Sequence, residues 1–396
     1  MQRKKSIFQN NLVTLFLVLL VGIFLGCSED ESEGLKQVSS RAYKGHENDM
    51  DANNLVSMYP SILGTRLDDC HTCHTGEVKD GKVASNACDN CHNLMLHGEE
   101  VGSHTFTETL NPFGLDYLNA GRNSEALKSI KDKDSDGDGF KNDEEILALR
   151  YPGSNLSKPG QAVATLRTVS VDELKAMPSH SQFMLANTSK QQFDDYATFK
   201  GVKIKDLLAS LGINLAGATG ITVIAPDGFM NSVPIETVDK VFPQPMFSSG
   251  LDVDTLGQDG GFVNYPKEMP QGLSNGAPIA GEHWLMMAYE RDGMPMEPSY
   301  LDAAAGKITG EGPLRLVVPQ AKAGKPDRGL KYSPTNCNDG YDYDENADHN
   351  AGAMVRGVIA IRIDLMPAGV EEFDYMNGGW AYINTNQLII YGHNVQ

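Results

Sequence analysis

The chain has 396 residues, enough for more than one domain with its own apolar core. Its formal net charge of -19 argues against nucleic acid as a partner and favours cationic patches on other proteins. Six cysteines in this length give no disulfide framework, so the large C-terminal region must be held by packing.

At the N-terminus Gln2-Arg3-Lys4-Lys5 is positive, and the apolar run from Leu12 to Leu25 is short for a membrane span. Phe24-Leu25-Gly26-Cys27 closes it, so residues 1–27 read as a lipoprotein signal peptide with Cys27 as the lipidation site. Leu25 stands where such sites usually carry a small residue, and the alternative is an uncleaved anchor helix. Both outcomes export the body of the protein and tether it to a membrane. With Ser28 rather than Asp after Cys27, the similarity to Gram-negative lipoproteins implies the outer membrane. Residues 28–52 open on Ser28-Glu29-Asp30-Glu31-Ser32-Glu33-Gly34, a polar, acidic stretch expected of a flexible tether.

Residues 53–125 hold two C-x-x-C-H motifs, Cys70-His71-Thr72-Cys73-His74 and Cys88-Asp89-Asn90-Cys91-His92. Two thiols about one helical turn apart meet the two vinyl groups of a porphyrin, and the following His reaches the iron. The spacing predicts two covalent c-type haems on Cys70, Cys73, Cys88 and Cys91, with His74 and His92 as proximal ligands. A structural zinc site shares the paired Cys-x-x-Cys spacing but needs no His after each pair, and a double disulfide explains neither His. Distal candidates are His97 and His104, then His46 and His71, with Met95 offering a thioether. His71 cannot curl round to the far face of its own porphyrin, though it could serve the other. Surplus histidines favour bis-His ligation, which suits a carrier rather than an oxygen or peroxide enzyme. The module is expected to be small and mostly helical, ordered chiefly by its cofactors.

Residues 126–160 contain Asp134-Ser135-Asp136-Gly137-Asp138-Gly139-Phe140-Lys141-Asn142-Asp143-Glu144-Glu145. Counted from Asp134, carboxylates fall at positions 1, 3 and 5, Gly139 turns the chain at 6, and the Phe140 carbonyl falls at 7. Asn142 falls at 9 and Glu145 closes at 12, which completes a calcium ligand set. Lys141 at position 8 suggests a lone loop rather than a paired EF-hand. It resembles the D-x-D-G-D-G loops of thrombospondin-type-3-like and dockerin-like repeats. The alternative is a solvated acidic turn, and a register from Asp132 would end on the shorter Asp143. Calcium here would pin the haem module to the C-terminal region.

After a joint at Ser154, Ser157, Pro159 and Gly160, the pattern becomes mixed, and residues 165–392 read as one α+β domain. The helices expected are Val171 to Met177, capped by Ser170, and Lys203 to Leu211. Strands are expected over 221–225, 314–318 and 358–363, with 247–281 largely loop.

Five blocks of this domain, in order, resemble the molybdopterin-binding domain of the sulfite oxidase family. They are Val171 to Pro178, Phe199 to Leu208, Ile221 to Phe229, Trp284 to Pro295 and Gly312 to Pro319. The resemblance implies that family's α+β fold. It also implies that active members place a molybdenum-ligating Cys between the first helix block and the strand at Ile221, where this chain has none. Cys337 follows the Gly312 block and does not match, so molybdopterin is not expected and Cys337 reads as a lone loop thiol or partner contact.

The leading reading is an outer-membrane dihaem electron-transfer lipoprotein whose C-terminal domain serves for docking or ligand binding. Its partners would be redox proteins with cationic docking patches. A haem-containing molybdopterin oxidoreductase is the alternative, and a calcium-stabilised surface scaffold a second one.

Overall fold

The computed structural model describes residues 49–74, 77–79, 82–85, 106–189, 194–249, 263–302, 307–326, 346–374, 382–383 and 385–396. Over these residues the protein is α+β, with several sheets and seven short α-helices.

The N-terminal unit carries α1 (Met50–Met58), α2 (Pro112–Asn119), α3 (Ser124–Ile130) and α4 (Asn142–Leu147), with a hairpin of β1 (Glu77–Lys79) and β2 (Lys82–Ser85). Short polar side chains start the first three helices: Asp49 accepts from the Asp51 amide, Asn111 from Gly114 and Asn123 from Ala126. Pro112, which has no amide hydrogen to lose, takes the first position of α2. α3 packs on α1 and α2, while α4 packs on the turn at Pro60–Ile62. Together they bury Leu55, Ile62, Leu67, Phe113, Tyr117, Leu127, Ile130, Ile146 and Tyr151 in one cluster. The unit therefore has an apolar core of its own, beyond the cofactor-borne order that the sequence leads one to expect. The reason is that the helices on both sides of the acidic loop contribute apolar faces to it.

The C-terminal domain begins with β3 (Ala162–Val163), β4 (Arg167–Ser170), α5 (Val171–Ala176), β5 (His180–Ala186), β6 (Asp194–Lys203) and α6 (Ile204–Ser210). β7 (Gly220–Ile224), β8 (Met230–Pro234), α7 (Ile235–Val238), β9 (Val241–Phe242), β10 (Val263–Asn264) and β11 (His283–Trp284) come next. It ends with β12 (Met286–Arg291), β13 (Met294–Pro295), β14 (Tyr300–Asp302), β15 (Lys307–Thr309), β16 (Arg315–Val317), β17 (Ala360–Ile363), β18 (Val370–Glu371) and β19 (Gln387–Gly392).

One sheet runs β10-β6-β12-β13, with β5 also on β6 and β16 also on β12; the other runs β4-β19-β17-β7-β8. Strand periodicity assigns the faces. Met287 and Tyr289 of β12, Ile221 and Val223 of β7, Ile361 and Ile363 of β17, and Leu388 and Ile390 of β19 share the central core with α5 and α6. Their alternates Ile224, Ala360, Ile389 and Tyr391 line the opposite face of the second sheet.

The N-terminal unit is locked to that outer face. Arg66, 1 % exposed, reaches Glu371 and Asp374 at 2.6 Å each and stacks on the Tyr151 ring at 4.4 Å. Arg150 pairs with the other Glu371 oxygen at 2.9 Å, and β3 runs parallel to β18 at the same place. Burial works against the charge on Arg66, but Asp374, Tyr151 and Glu371 together raise its pKa above the ordinary value.

Candidate functional site

Cys70–Thr72 forms a single 3-10 turn started by Asp69, whose carboxylate accepts from the His71 amide at 2.9 Å. The Cys73 and His74 amides both donate back to the Cys70 carbonyl, at 3.1 and 2.9 Å. Thus the two cysteines and the histidine of the first motif are held on one tight turn.

The start of α2 clamps that turn. The Cys73 carbonyl accepts from the Asn111 amide at 2.9 Å, and Asn111 Nδ2 donates to the carbonyls of His71 and Thr72 at 3.2 and 3.0 Å. Asn111 Oδ1 caps α2 through Gly114, so one side chain serves helix and motif together. A Cβ at Gly114 would collide with the Cys73 carbonyl, and one at Gly153 with the Asn111 side chain. The clamp thus requires glycine on two sides.

His74 Nδ1 lies 2.8 Å from the Thr109 hydroxyl, a contact that orients the ring. Burial lowers the His74 pKa, which keeps the imidazole neutral as ligation requires. The same burial pushes the Cys73 thiol up to about 12. This donor set fits a covalent haem: two thiols and a neutral, oriented imidazole.

His71 faces elsewhere. Its ring lies 4.6 Å from that of Tyr151 and lines an open cleft of about 170 Å³ against Glu371, Glu372, Phe373 and Asp374. Of the four distal candidates it is the one described, and it sits at the junction with the C-terminal domain. Cys27, His46, Cys88, Cys91, His92, Met95, His97, His104 and Cys337 lie outside the described residues.

The second constellation is the loop between α3 and α4. Gly137 and Gly139 take positive φ, 77° and 100°, which wraps the chain round Asp134. Asp134 accepts from the amides of Gly137, Asp138 and Gly139 at 2.8 to 3.1 Å. Carboxylate oxygens of Asp134, Asp136 and Asp138 come within 4.8 Å of one another. From the first turn of α4, Glu145, 0 % exposed, feels the charge of all three, and both its oxygens are buried and accept no hydrogen bond. One buried oxygen each of Asp136 and Asp138 is in the same state.

Electrostatics follows from this crowding. Burial, then Asp136, Asp138 and Asp134, push the Glu145 carboxyl up to about 9. Burial and Asp138 push Asp136 up to about 6. Such a group of carboxylates is costly without a cation, and hard oxygen donors suit calcium. Asn142, also 0 % exposed, braces the loop: its Nδ2 donates to the Ile130 carbonyl and Ser135 Oγ, both at 2.8 Å, and its Oδ1 accepts from the Ser135 amide. Phe140 donates its amide to Asp138 at 2.8 Å.

Thr109, Asn111, Arg66, Tyr151 and Lys158 escape the sequence reading. Asn111 before Pro112 carries a legible helix-start signal; the others depend on tertiary contacts that no local spacing reveals. Among the described residues no helix is long and apolar enough to cross a membrane. No model of a known protein family matches the chain, and no curated protein matches it.

Proposed function

We propose that the chain is a dihaem c-type electron carrier, tethered through Cys27 to the outer membrane and stabilised by calcium in the 134–145 loop. The observation that carries the reading is the first motif: Cys70, Cys73 and His74 on one clamped turn, with His74 Nδ1 held by Thr109. Bound haem would supply one-electron chemistry at iron. The protein's part is to orient His74, hold the thioether turn rigid through Asn111 and Gly114, and carry acidic surface toward cationic redox partners.

His74 and His92 would ligate the two irons on the attachment side, with His97 and His104, or else His46 or His71, supplying the two distal ligands. Asp134, Asp136, Asp138 and Glu145, with the Phe140 carbonyl and Asn142, would hold the calcium; the buried oxygens of Glu145 favour this over a solvated turn. For the C-terminal domain we propose a sulfite-oxidase-type scaffold without molybdenum. In support, its five blocks fall on α5, β6–α6, β7, β11–β13 and β16, and no Cys lies between 165 and 326.

The test is haem and metal content of the exported protein with its spectrum. We expect two covalent haems per chain, no molybdenum, and six-coordinate low-spin bands that resist carbon monoxide. Replacing Cys73 and Cys91 together should abolish haem staining, and either alone should leave about half. Stoichiometric molybdenum, or rapid carbon monoxide binding at both haems, overturns the carrier.

A further inference from the structure

The linker between the two halves sends one cation into the acidic loop. Lys158 Nζ donates to the Asp138 carbonyl at 3.3 Å and lies 3.7 Å from Asp138 Oδ2, a carboxylate that is itself 0 % exposed. The same residue's carbonyl accepts from Arg150 Nε at 3.0 Å, and Arg150 continues to Glu371 of the C-terminal domain. The Arg150 amide in turn donates to the Glu145 carbonyl at 2.8 Å. A single lysine thus touches the loop with its ammonium and the interdomain ion pairs with its backbone.

One ammonium cannot satisfy this loop. It meets Asp138 alone at 3.7 Å, while Asp134 and Asp136 crowd the same carboxylate and both Glu145 oxygens still accept no hydrogen bond. A divalent ion held by Asp138 would lie within a few ångströms of Lys158 Nζ, and like charges that close repel strongly.

We propose that Lys158 is a built-in competitor of the metal ion. It holds Asp138 while the loop is ion-free and is displaced from that carboxylate when calcium binds, so the linker itself sets the ion's affinity. This rests on the reading of the loop as a calcium site.

Calorimetric titration of calcium into the intact exported protein tests both. Lys158→Met should bind calcium about tenfold more tightly than wild type, and Lys158→Arg, which keeps the charge, should stay close to wild type. In wild type, acylation of Lys158 by an amine-reactive ester, read by mass spectrometry, should rise when calcium is added. If wild type binds calcium but Lys158→Met binds equally or more weakly, or labelling is unchanged by calcium, the competitor is overturned while the calcium site stands. If neither wild type nor Lys158→Met binds calcium, the calcium reading falls and takes the inference with it.

Discussion

In the C-terminal domain, buried and half-buried charges are paired close at hand. Arg315 meets Glu311 at 2.9 Å, and Arg362 meets Asp364 and Glu372 at 2.8 and 2.7 Å. In the N-terminal unit, both oxygens of Glu145 and one of Asp136 are buried and accept no hydrogen bond, and Lys158 reaches Asp138 only at 3.7 Å. In a buried ion pair the attraction between the partners offsets part of their desolvation. Carboxylates crowded against one another are tolerated where an ion repays the desolvation. The contrast sets the crowded carboxylates of the 134–145 loop apart from the paired charges of the C-terminal domain, and it is at that loop that a bound cation would offset the most desolvation.

The largest expected effect breaks the joint between the two. Arg66→Ala removes the guanidinium from Asp374 and leaves Glu371 with Arg150 alone, in an interface where Arg66 is 1 % exposed. Removing one partner of such a buried network costs on the order of 3–5 kcal/mol. Denaturant unfolding should show that loss, and a change below about 1 kcal/mol would mean that β3 on β18 and apolar packing hold the halves together.

A smaller, sign-changing effect comes from Glu145. Its folded pKa of about 9 exceeds the ordinary Glu value, because burial first and the neighbouring aspartates next oppose its charge. Between those two values the folded, calcium-free protein binds more protons than the unfolded chain. Its stability therefore falls as pH rises from about 4.5 to 9. Calcium needs the ionised form, so its affinity should rise over the same window. Glu145→Gln should raise the calcium-free Tm at pH 8, by the equivalent of roughly 1 kcal/mol, and should abolish most of the stabilisation that calcium gives. A variant equally stable with and without chelator, beside a wild type that also ignores chelator, would leave the loop with no ion-binding role.

These two sites were unequally legible from the residues alone. The 134–145 loop announces its carboxylate spacing, and Glu145 at the twelfth place is where the buried carboxylate stands. The helices at 171–176 and 204–210 and the strands at 220–224, 315–317 and 360–363 follow from caps and apolar periodicity, so they fall within a residue or two of expectation. Arg66 was illegible, because its partners lie some 300 positions on, and so was Thr109, 35 positions beyond His74. Chain-distant contacts leave no periodic trace. The core of the N-terminal unit is hard to read from the sequence for a related reason: Leu55, Phe113, Ile130 and Ile146 lie far apart in the chain and become one cluster only after the helices close round the loop.

The smallest effect tests whether the halves are independent. Ser170 caps α5: its Oγ accepts from the Glu173 amide at 3.1 Å, while Glu173 Oε2 accepts from the Ser170 amide at 2.7 Å. α5 in turn delivers Leu174, 0 % exposed, to the central core. Ser170→Ala should cost about 1 kcal/mol. Hydrogen bonds from Ser170 lower the Glu173 pKa, so this cap is complete above the ordinary Glu range and is lost as pH falls through the lowered value. The gap in Tm between variant and wild type should accordingly narrow in acid. Haem content and calcium affinity should stay at wild-type levels, because nothing in the cap touches the 70–74 turn or the acidic loop. A shift in calcium affinity would show that strain in the C-terminal domain is transmitted through Glu371, Arg150 and Lys158 to Asp138, and the two regions would then be one mechanical unit rather than a scaffold and its passenger.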